Sequence, residues 1–399
     1  MNENRSLKIL FIDLGHFVND GIFFLFPILV PFFAKRFDLS PLMAGSLFAI
    51  FYGFSLFLTV FTSINADIKG KLGESISLGL SLMSFSLFLY GISYIIQNNY
   101  GVILIFVSTA MMGMGASYYH PISASVLTHI VPEEKRGVHL GLNGALGSTG
   151  RAVYPILMST IEAYFSFQIS MTSLFIIGIF ISFFIYRELK NVKPPVNRTA
   201  KEHLKLNFNR ALLTLAIITF LRSSFSQGIT AWFPTYLAYE KNIGLGILIG
   251  ITMTAIYSIA IIGQPIFGIL SDKMDKRILF FTSTFGTGIS VILFLTTSSW
   301  LSFIFMLSYA FFNFTGYPLL MSITRDYSSE NSSLSNSFIW GVANTGGMVI
   351  GSFFPSLFIK TDYSNLSYIF TVLSVSIIVV SFLIVLLPKV NRKSKMVLF

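Results

Sequence analysis

Long apolar runs separated by short polar breaks follow one another from end to end of this chain. The runs cover 7–34, 41–65, 75–96, 101–130, 138–162, 168–187, 210–237, 245–270, 277–297, 300–325, 333–358 and 364–388. Each is close to the roughly 20 residues that an α-helix needs to cross a bilayer. None shows the alternation of a strand, and barrel strands would be weaker segments of about 10 residues. The pattern predicts an all-α integral membrane protein with twelve transmembrane helices.

The longest polar stretch, Glu188–Arg210, holds Pro194-Pro195 and many basic residues. It predicts a six-helix bundle over 1–190, a basic cytoplasmic linker over 191–209 and a second six-helix bundle over 210–399. Marked residues recur between the halves at nearly constant offsets. Asp67 and Asp272 stand 205 positions apart, Pro121 and Pro318 197, and Pro155 and Pro355 200. Each pair occupies the same helix number within its half, so the chain reads as a duplicated six-helix unit in parallel orientation, two pseudo-symmetric bundles.

Composition agrees. Charged residues are 11% and apolar ones 54%, with a mean hydropathy of +0.74, where a soluble domain carries about a quarter charged residues. The net charge of +10 does not indicate nucleic-acid binding. Lys and Arg collect in alternate connections, as in cytoplasmic loops, and place both termini in the cytoplasm of a multi-pass protein in the plasma or inner membrane. Lys35 and Arg36 oppose that trend. There are no cysteines, so thiol–metal sites are excluded. The first run is too long for a signal-peptide core, and no cleavable signal is expected.

The first run also carries Asp13, His16, Asn19 and Asp20. At 100° per residue the two acids and the imidazole fall on one face, with Asn19 on its flank. Ionisable groups at such depth are costly and face a bundle interior or a wet path. Asp20 lies about 18 Å into its helix, near mid-membrane. An acid that is alternately hydrated and paired can load and release protons, so Asp20, with Asp13 and His16, is the candidate proton-coupling set. Arg151 lies at similar depth in the fifth run, on one face with Asn143 and Gly147, and Arg222 is equally deep in the seventh. Either arginine could pair with Asp13 or Asp20, or hold an anionic substrate. His120, Tyr119, Gln227, Tyr317 and Asn344 are further candidates for lining a substrate path. Gly141, Gly144, Gly147 and Gly150, like Gly341, Gly346, Gly347 and Gly351, read as close-packing faces. No Lys-Ser/Thr follows them, so no nucleotide loop is expected. No catalytic set, metal site or cofactor is expected; His129 and His139 with Glu133 and Glu134 lack metal-ligand spacing.

Between the eighth and ninth runs stands Gly268-Ile-Leu-Ser-Asp272-Lys273-Met-Asp275-Lys276-Arg277. This resembles the signature of the major facilitator superfamily, Gly-x-x-x-Asp-basic-x-Gly-basic-basic, with Asp275 in place of the second glycine. The first-half copy, from Ser63 through Asp67 to Gly70 and Lys71, is degenerate. The resemblance implies a conformational latch made by Asp67, Gly268, Asp272, Lys273 and Arg277 that stabilises an outward-facing state. A narrower resemblance rests on His16-x-x-Asn19-Asp20 and on Gly113-Met-Gly-Ala-Ser-Tyr-Tyr-His120-Pro121. These look like the fosmidomycin-resistance branch, whose members are proton-driven drug exporters.

The function expected is secondary transport by alternating access: proton-coupled efflux of small amphipathic or anionic compounds by a monomer in the lipid bilayer. Its partners are protons and a small-molecule substrate. Uptake or exchange of an organic anion or sugar-like metabolite is the nearest alternative. A non-transporting membrane sensor is an alternative of another class.

Overall fold

The computed structural model describes residues 3–96, 98–192, 209–328, 335 and 338–389. Its described elements are helical throughout, the α-helices being α1 (Glu3–Phe37), α2 (Pro41–Lys69), α3 (Leu72–Ile95), α4 (Asn99–Ile130), α5 (Arg136–Tyr164), α6 (Phe167–Leu189), α7 (Arg210–Thr235), α8 (Ile247–Lys273), α9 (Lys276–Thr296), α10 (Ser299–Tyr327), α11 (Gly346–Phe353) and α12 (Leu366–Leu383). Among the described residues, ten of these are long and apolar enough to cross a membrane. The two that fall short were both expected to span. The α5 helix is long enough, but its His139, Asn143 and Arg151 dilute its apolar character. The expected eleventh span is helical without interruption over 338–357 but changes its pitch along the way. Wide π-helical turns over Phe338–Thr345 precede α11, and a tight turn over Phe354–Leu357, opened by Pro355, follows it. Residues 333, 334, 336 and 337 of that expected span lie outside the described residues, as does nearly all of the expected linker.

Local chemistry sets the helix ends. The Asn98 side chain accepts from the Tyr100 amide and caps α4; Ser166 does the same for α6 through Ile169, each satisfying an orphan donor of a first turn. Outward rows of Phe57, Phe61, Phe180, Ile217, Ile269 and Val379 are more than half exposed, a surface suited to hydrocarbon. Tyr100, Tyr164, Trp300 and Tyr368 are exposed at helix ends beside the α3–α4, α5–α6, α9–α10 and α11–α12 connections, where amphipathic rings sit at a membrane interface. Arg36, out of place by charge alone, donates to the Tyr94 carbonyl at 2.9 and 3.2 Å and lies over the Tyr94 ring.

Packing divides the chain into two compact units. One joins α1–α6 to Gly228–Ile261 and Ser352–Ile369; the other holds α7 up to Gln227, Ile262–Gly351 and the chain from Phe370. The predicted boundary follows the duplication, whereas this division follows contacts. Within the first unit α1 packs on α5 and α6, and α3 on α4 and α6. At the end carrying the α1–α2 connection, the same unit is tied to later segments of the chain. Thr254 donates to the Ala152 carbonyl at 2.7 Å and Tyr363 to the Leu39 carbonyl at 2.6 Å. The buried Trp232 donates to the Ser352 carbonyl at 2.8 Å and meets Phe48 edge-on. Within the second unit α9 packs on α10, and α7, α10 and α12 contribute to one apolar core.

Candidate functional site: a charged chain across α1, α4 and α5

The α1 and α5 backbones approach closely where the charges lie. A Cβ on Gly150 would stand 2.0 Å from the Phe17 carbonyl oxygen, and one on Gly147 2.6 Å from the His16 ring. A larger residue at Gly150 would have to displace the α1 backbone, and one at Gly147 the His16 ring. That half of the predicted glycine face is therefore a close-packing face. Gly141 and Gly144 instead have open space around them.

The approach assembles a chain of polar groups. Asn143 Nδ2 donates to Asp13 Oδ1 at 2.8 Å. This fixes the amide's orientation, because a carboxylate oxygen only accepts. Asn143 Oδ1 then faces His16 Nδ1 at 2.7 Å, so Nδ1 carries the hydrogen and donates. His16 Nε2 in turn stands 3.4 Å from Asp20 Oδ1. In a neutral imidazole that nitrogen would hold a lone pair facing a carboxylate oxygen. A cation between them, a proton in the simplest case, relieves the repulsion.

Asp20 is buried and uses its two oxygens differently. Oδ1 accepts from Asn19 Nδ2 at 3.1 Å and lies 3.4 Å from His120 Nε2; Oδ2 lies 3.3 Å from Arg151 Nε. The arginine contact is an ion pair by proximity without hydrogen-bond alignment, since the buried Nε has no hydrogen-bond partner. Arg151 Nη2 donates to Ser148 Oγ at 2.8 Å, and the guanidinium lies 4.9 Å from the centre of the Phe24 ring. That ring meets Tyr257 edge-on, and the Tyr257 hydroxyl donates to the Phe24 carbonyl at 3.4 Å. Tyr119 is fully buried and donates to the Ile12 carbonyl, pinning α4 to α1. Two carboxylates and one guanidinium leave one negative charge in this chain. One added proton brings it to zero.

His16, Asp20 and His120 each bring one ligand atom within 4.8 Å of the others, a juxtaposition the spacing along the sequence did not reveal. The structure thus brings together Asp13, His16, Asn19, Asp20, His120, Asn143 and Arg151. Ser148, Phe24 and Tyr257 join them without having been singled out. Ser148 precedes Arg151 by three residues and Phe24 follows Asp20 by four, so helical periodicity could have found both; Tyr257 carried no such signal.

Arg222 is placed differently. It is buried in the second unit, donating to Thr284 Oγ1 at 3.1 Å and the Asn313 carbonyl at 3.0 Å, and lying near Ser283 Oγ and the Phe280 ring. Asn344 offers its carbonyl to Ser223 Oγ at 2.6 Å and points its amide at Met348; Gln227 is buried in α7. The side chains of Asp67 and Tyr317 lie outside the described residues. In the motif between α8 and α9, Gly268 has open space at its Cβ position, so close approach is not its role here. Asp272 and Lys273 are exposed. Arg277 turns to Asp275, the residue that departs from the signature, with Nη2 2.7 Å and Nε 3.2 Å from its carboxylate, and donates through Nη1 to the Leu387 carbonyl at 2.9 Å.

Solved transporters share this architecture. A peptide transporter in complex with alafosfalin superposes with a TM-score of 0.77 at 12% identity, over 95% of this chain and 93% of that one. A bacterial homologue of the human lysosomal transporter Spinster, inward-facing and occupied, reaches a TM-score of 0.79 at 13% identity over 98% of each chain. At such identity the likeness is one of fold alone. Among curated proteins none matches this sequence. The family model of the Major Facilitator Superfamily matches residues 12–263 and again 244–397. Nearly the whole chain is accounted for by those two matches, and it belongs to the major facilitator superfamily, as a multi-pass membrane transporter and not an enzyme.

Proposed function

We propose that this transporter couples substrate export to protons, and that the proton is held between His16 and Asp20. The observation that carries the reading is the charge balance of the Asp13–Asn143–His16–Asp20–Arg151 chain, which closes with one proton and is short by one without it. Buried ionisable groups in a membrane are tolerated when paired, and a pair that gains and loses its proton alternates between two electrostatic states. The fosmidomycin-resistance motif, His16-x-x-Asn19-Asp20 with the run ending in His120-Pro121, favours efflux of small amphipathic or anionic compounds. Transport proceeds by alternating access of two six-helix bundles, in a monomer whose termini face the cytoplasm of the plasma or inner membrane. Arg151 is the connecting residue. It leans on Asp20 and on Phe24, and Phe24 meets Tyr257 of α8, so a change at Asp20 reaches a contact between α1 and α8. Uptake of an organic anion clamped by Arg151 is less favoured, because Asp20 already engages that guanidinium.

The test is flux in proteoliposomes. An imposed pH gradient drives substrate movement in the wild type. Asp20→Asn reduces the driven component to the level of protein-free vesicles while sparing substrate counterflow. Driven flux that survives Asp20→Asn rules out coupling at this acid.

A further inference from the structure

The side chains of His16, Asn19, Asp20 and His120 converge with spacings close to those of a metal-ion coordination shell, and we infer that this cluster binds a divalent transition-metal ion such as zinc or cobalt. The His16 Nε2–Asp20 Oδ1 and His120 Nε2–Asp20 Oδ1 separations are both 3.4 Å. Asn19 Nδ2 stands 3.1 Å from Asp20 Oδ1 and 3.4 Å from His120 Nε2. Around a tetrahedral ion with bonds near 2.0–2.1 Å, neighbouring ligand atoms are about 3.3–3.4 Å apart. Three of these edges match that figure and the fourth is a few tenths of an ångström shorter, while His16 and His120 have their ligand atoms within 4.8 Å of each other, so rotation of the two imidazoles closes the shell.

Two further observations point to a ligand. Asn19 is fully buried, and its Oδ1 has no hydrogen-bond partner. A half-turn of the amide puts that orphaned oxygen where Nδ2 now lies. It gives up the amide's bonds to Asp20 and His120 and supplies a neutral oxygen ligand to the ion. The His16 ring is already oriented for coordination, because Nδ1 donates to Asn143, which in turn donates to Asp13. A hydrogen-bonded carboxylate and amide behind a ligating imidazole fix its tautomer with the other nitrogen free. Two imidazoles, a carboxylate and an amide oxygen form a donor set suited to zinc or cobalt and not to calcium or magnesium, which take oxygen alone. The His120 side chain is 43% exposed, and this is the side from which an ion would reach the cluster. Arg151 opposes the ion. With a divalent ion bound, the cluster carries one positive charge, and removing the guanidinium returns it to zero.

Cobalt chloride added to the purified full-length protein, its affinity tag removed, tests this inference through the visible absorption of Co²⁺. A strong tetrahedral spectrum at one ion per chain, displaced by zinc and abolished by EDTA, is expected. His120→Gln and His16→Gln lose it, while Arg151→Gln tightens zinc binding on the order of tenfold. A retained thermal transition in each variant shows that it is folded. A wild-type spectrum that stays octahedral, or one that survives His120→Gln, overturns the inference. Because the measurement involves no transport, it stands or falls separately from proton coupling, which the Asp20→Asn flux assay decides.

Discussion

The two halves of this duplicated chain use the same backbone contact for opposite purposes. In the first half α5 meets α1 at Gly150 against the Phe17 carbonyl; in the second, α11 meets α7 at Gly351, where a Cβ would lie 1.9 Å from the Ser224 carbonyl. Three residues beyond these contacts stand Asp20 on α1 and Gln227 on α7. The first half therefore places an ion cluster where the second places an amide. Two residues before the same contacts stand Gly15 and Arg222. Gly15 lies under the Tyr119 ring, two residues before Pro121; Arg222 lies over Gly316, two residues before Pro318. One large side chain fills the α1–α4 gap from α4, and another fills the α7–α10 gap from α7. The duplication conserves the backbone approach, and the chemistry in the gaps has diverged.

That asymmetry predicts where function is vulnerable. Asp20→Asn removes the pH-driven component of flux, whereas Gln227→Asn at the matching position leaves it within about twofold, because no net charge changes there. Measured side by side in proteoliposomes, equal losses for both substitutions would mean that coupling is spread over the two halves. The packing predicts the reverse, symmetry. Gly150→Leu and Gly351→Leu each force backbone apart, and overpacking of this kind costs about 1–3 kcal/mol or more. Both variants lose thermal stability in detergent. Gly144→Ala and Gly341→Ala enter open space and change it little, helix propensity favouring alanine by about 1 kcal/mol. A marked difference between Gly150→Leu and Gly351→Leu would break the structural equivalence.

How much of this was legible beforehand differs between backbone and site. The helices, the duplication and the shared face of Asp13, His16 and Asp20 could be read because hydropathy, proline offsets and helical pitch are properties of single segments. The change of pitch in the eleventh span could not, since Phe338–Thr345 is as apolar as a regular span and its wide turns leave no compositional mark. Asn143 and Arg151 were on one predicted face, yet that this face meets His16 and Asp20 depended on the Gly147–Gly150 approach to α1. The glycine stripe was read as uniform, and only its later two members touch a neighbour, because a stripe says nothing about where the partner helix leaves it. Arg222 shows the converse. It is buried, as expected, but hydroxyls and a carbonyl from α9 and α10 receive it, and such neutral partners have no signature in sequence.

The filled gaps give the next prediction. Arg222→Met removes two well-formed bonds from a charged donor, to Thr284 and Asn313, and bonds to charged groups are worth about 1.5–3 kcal/mol each. Tyr119→Phe removes the neutral hydroxyl that donates to Ile12 and keeps the ring, which costs about 1 kcal/mol. Unfolding temperatures should rank wild type above Tyr119→Phe above Arg222→Met. The opposite order would place the structural weight in the first half, despite its larger set of charges.

The two loops that carry the signature differ least in energy and most clearly in backbone. Gly70 adopts φ +63°, a left-handed conformation open to glycine, while Asp275 sits at φ −64° in extended backbone and caps α9. The second-half loop has no need of a glycine, and the carboxylate there takes Arg277. That hydrogen-bonded guanidinium holds the Asp275 carboxyl below its usual range. A group lowered on folding contributes stability that is present above its unfolded pKa and lost as pH falls through the folded one. The pair is partly exposed, with Asp275 at 35%, so screening limits its worth to about 0.2–1 kcal/mol. Asp275→Asn should therefore melt slightly below wild type at neutral pH, and the gap should close in acid below the normal carboxylate range. A gap that persists unchanged at low pH would mean that the charge of Asp275 does not account for the difference, since asparagine caps a helix about as well as aspartate, and that Arg277 is held mainly by the Leu387 carbonyl.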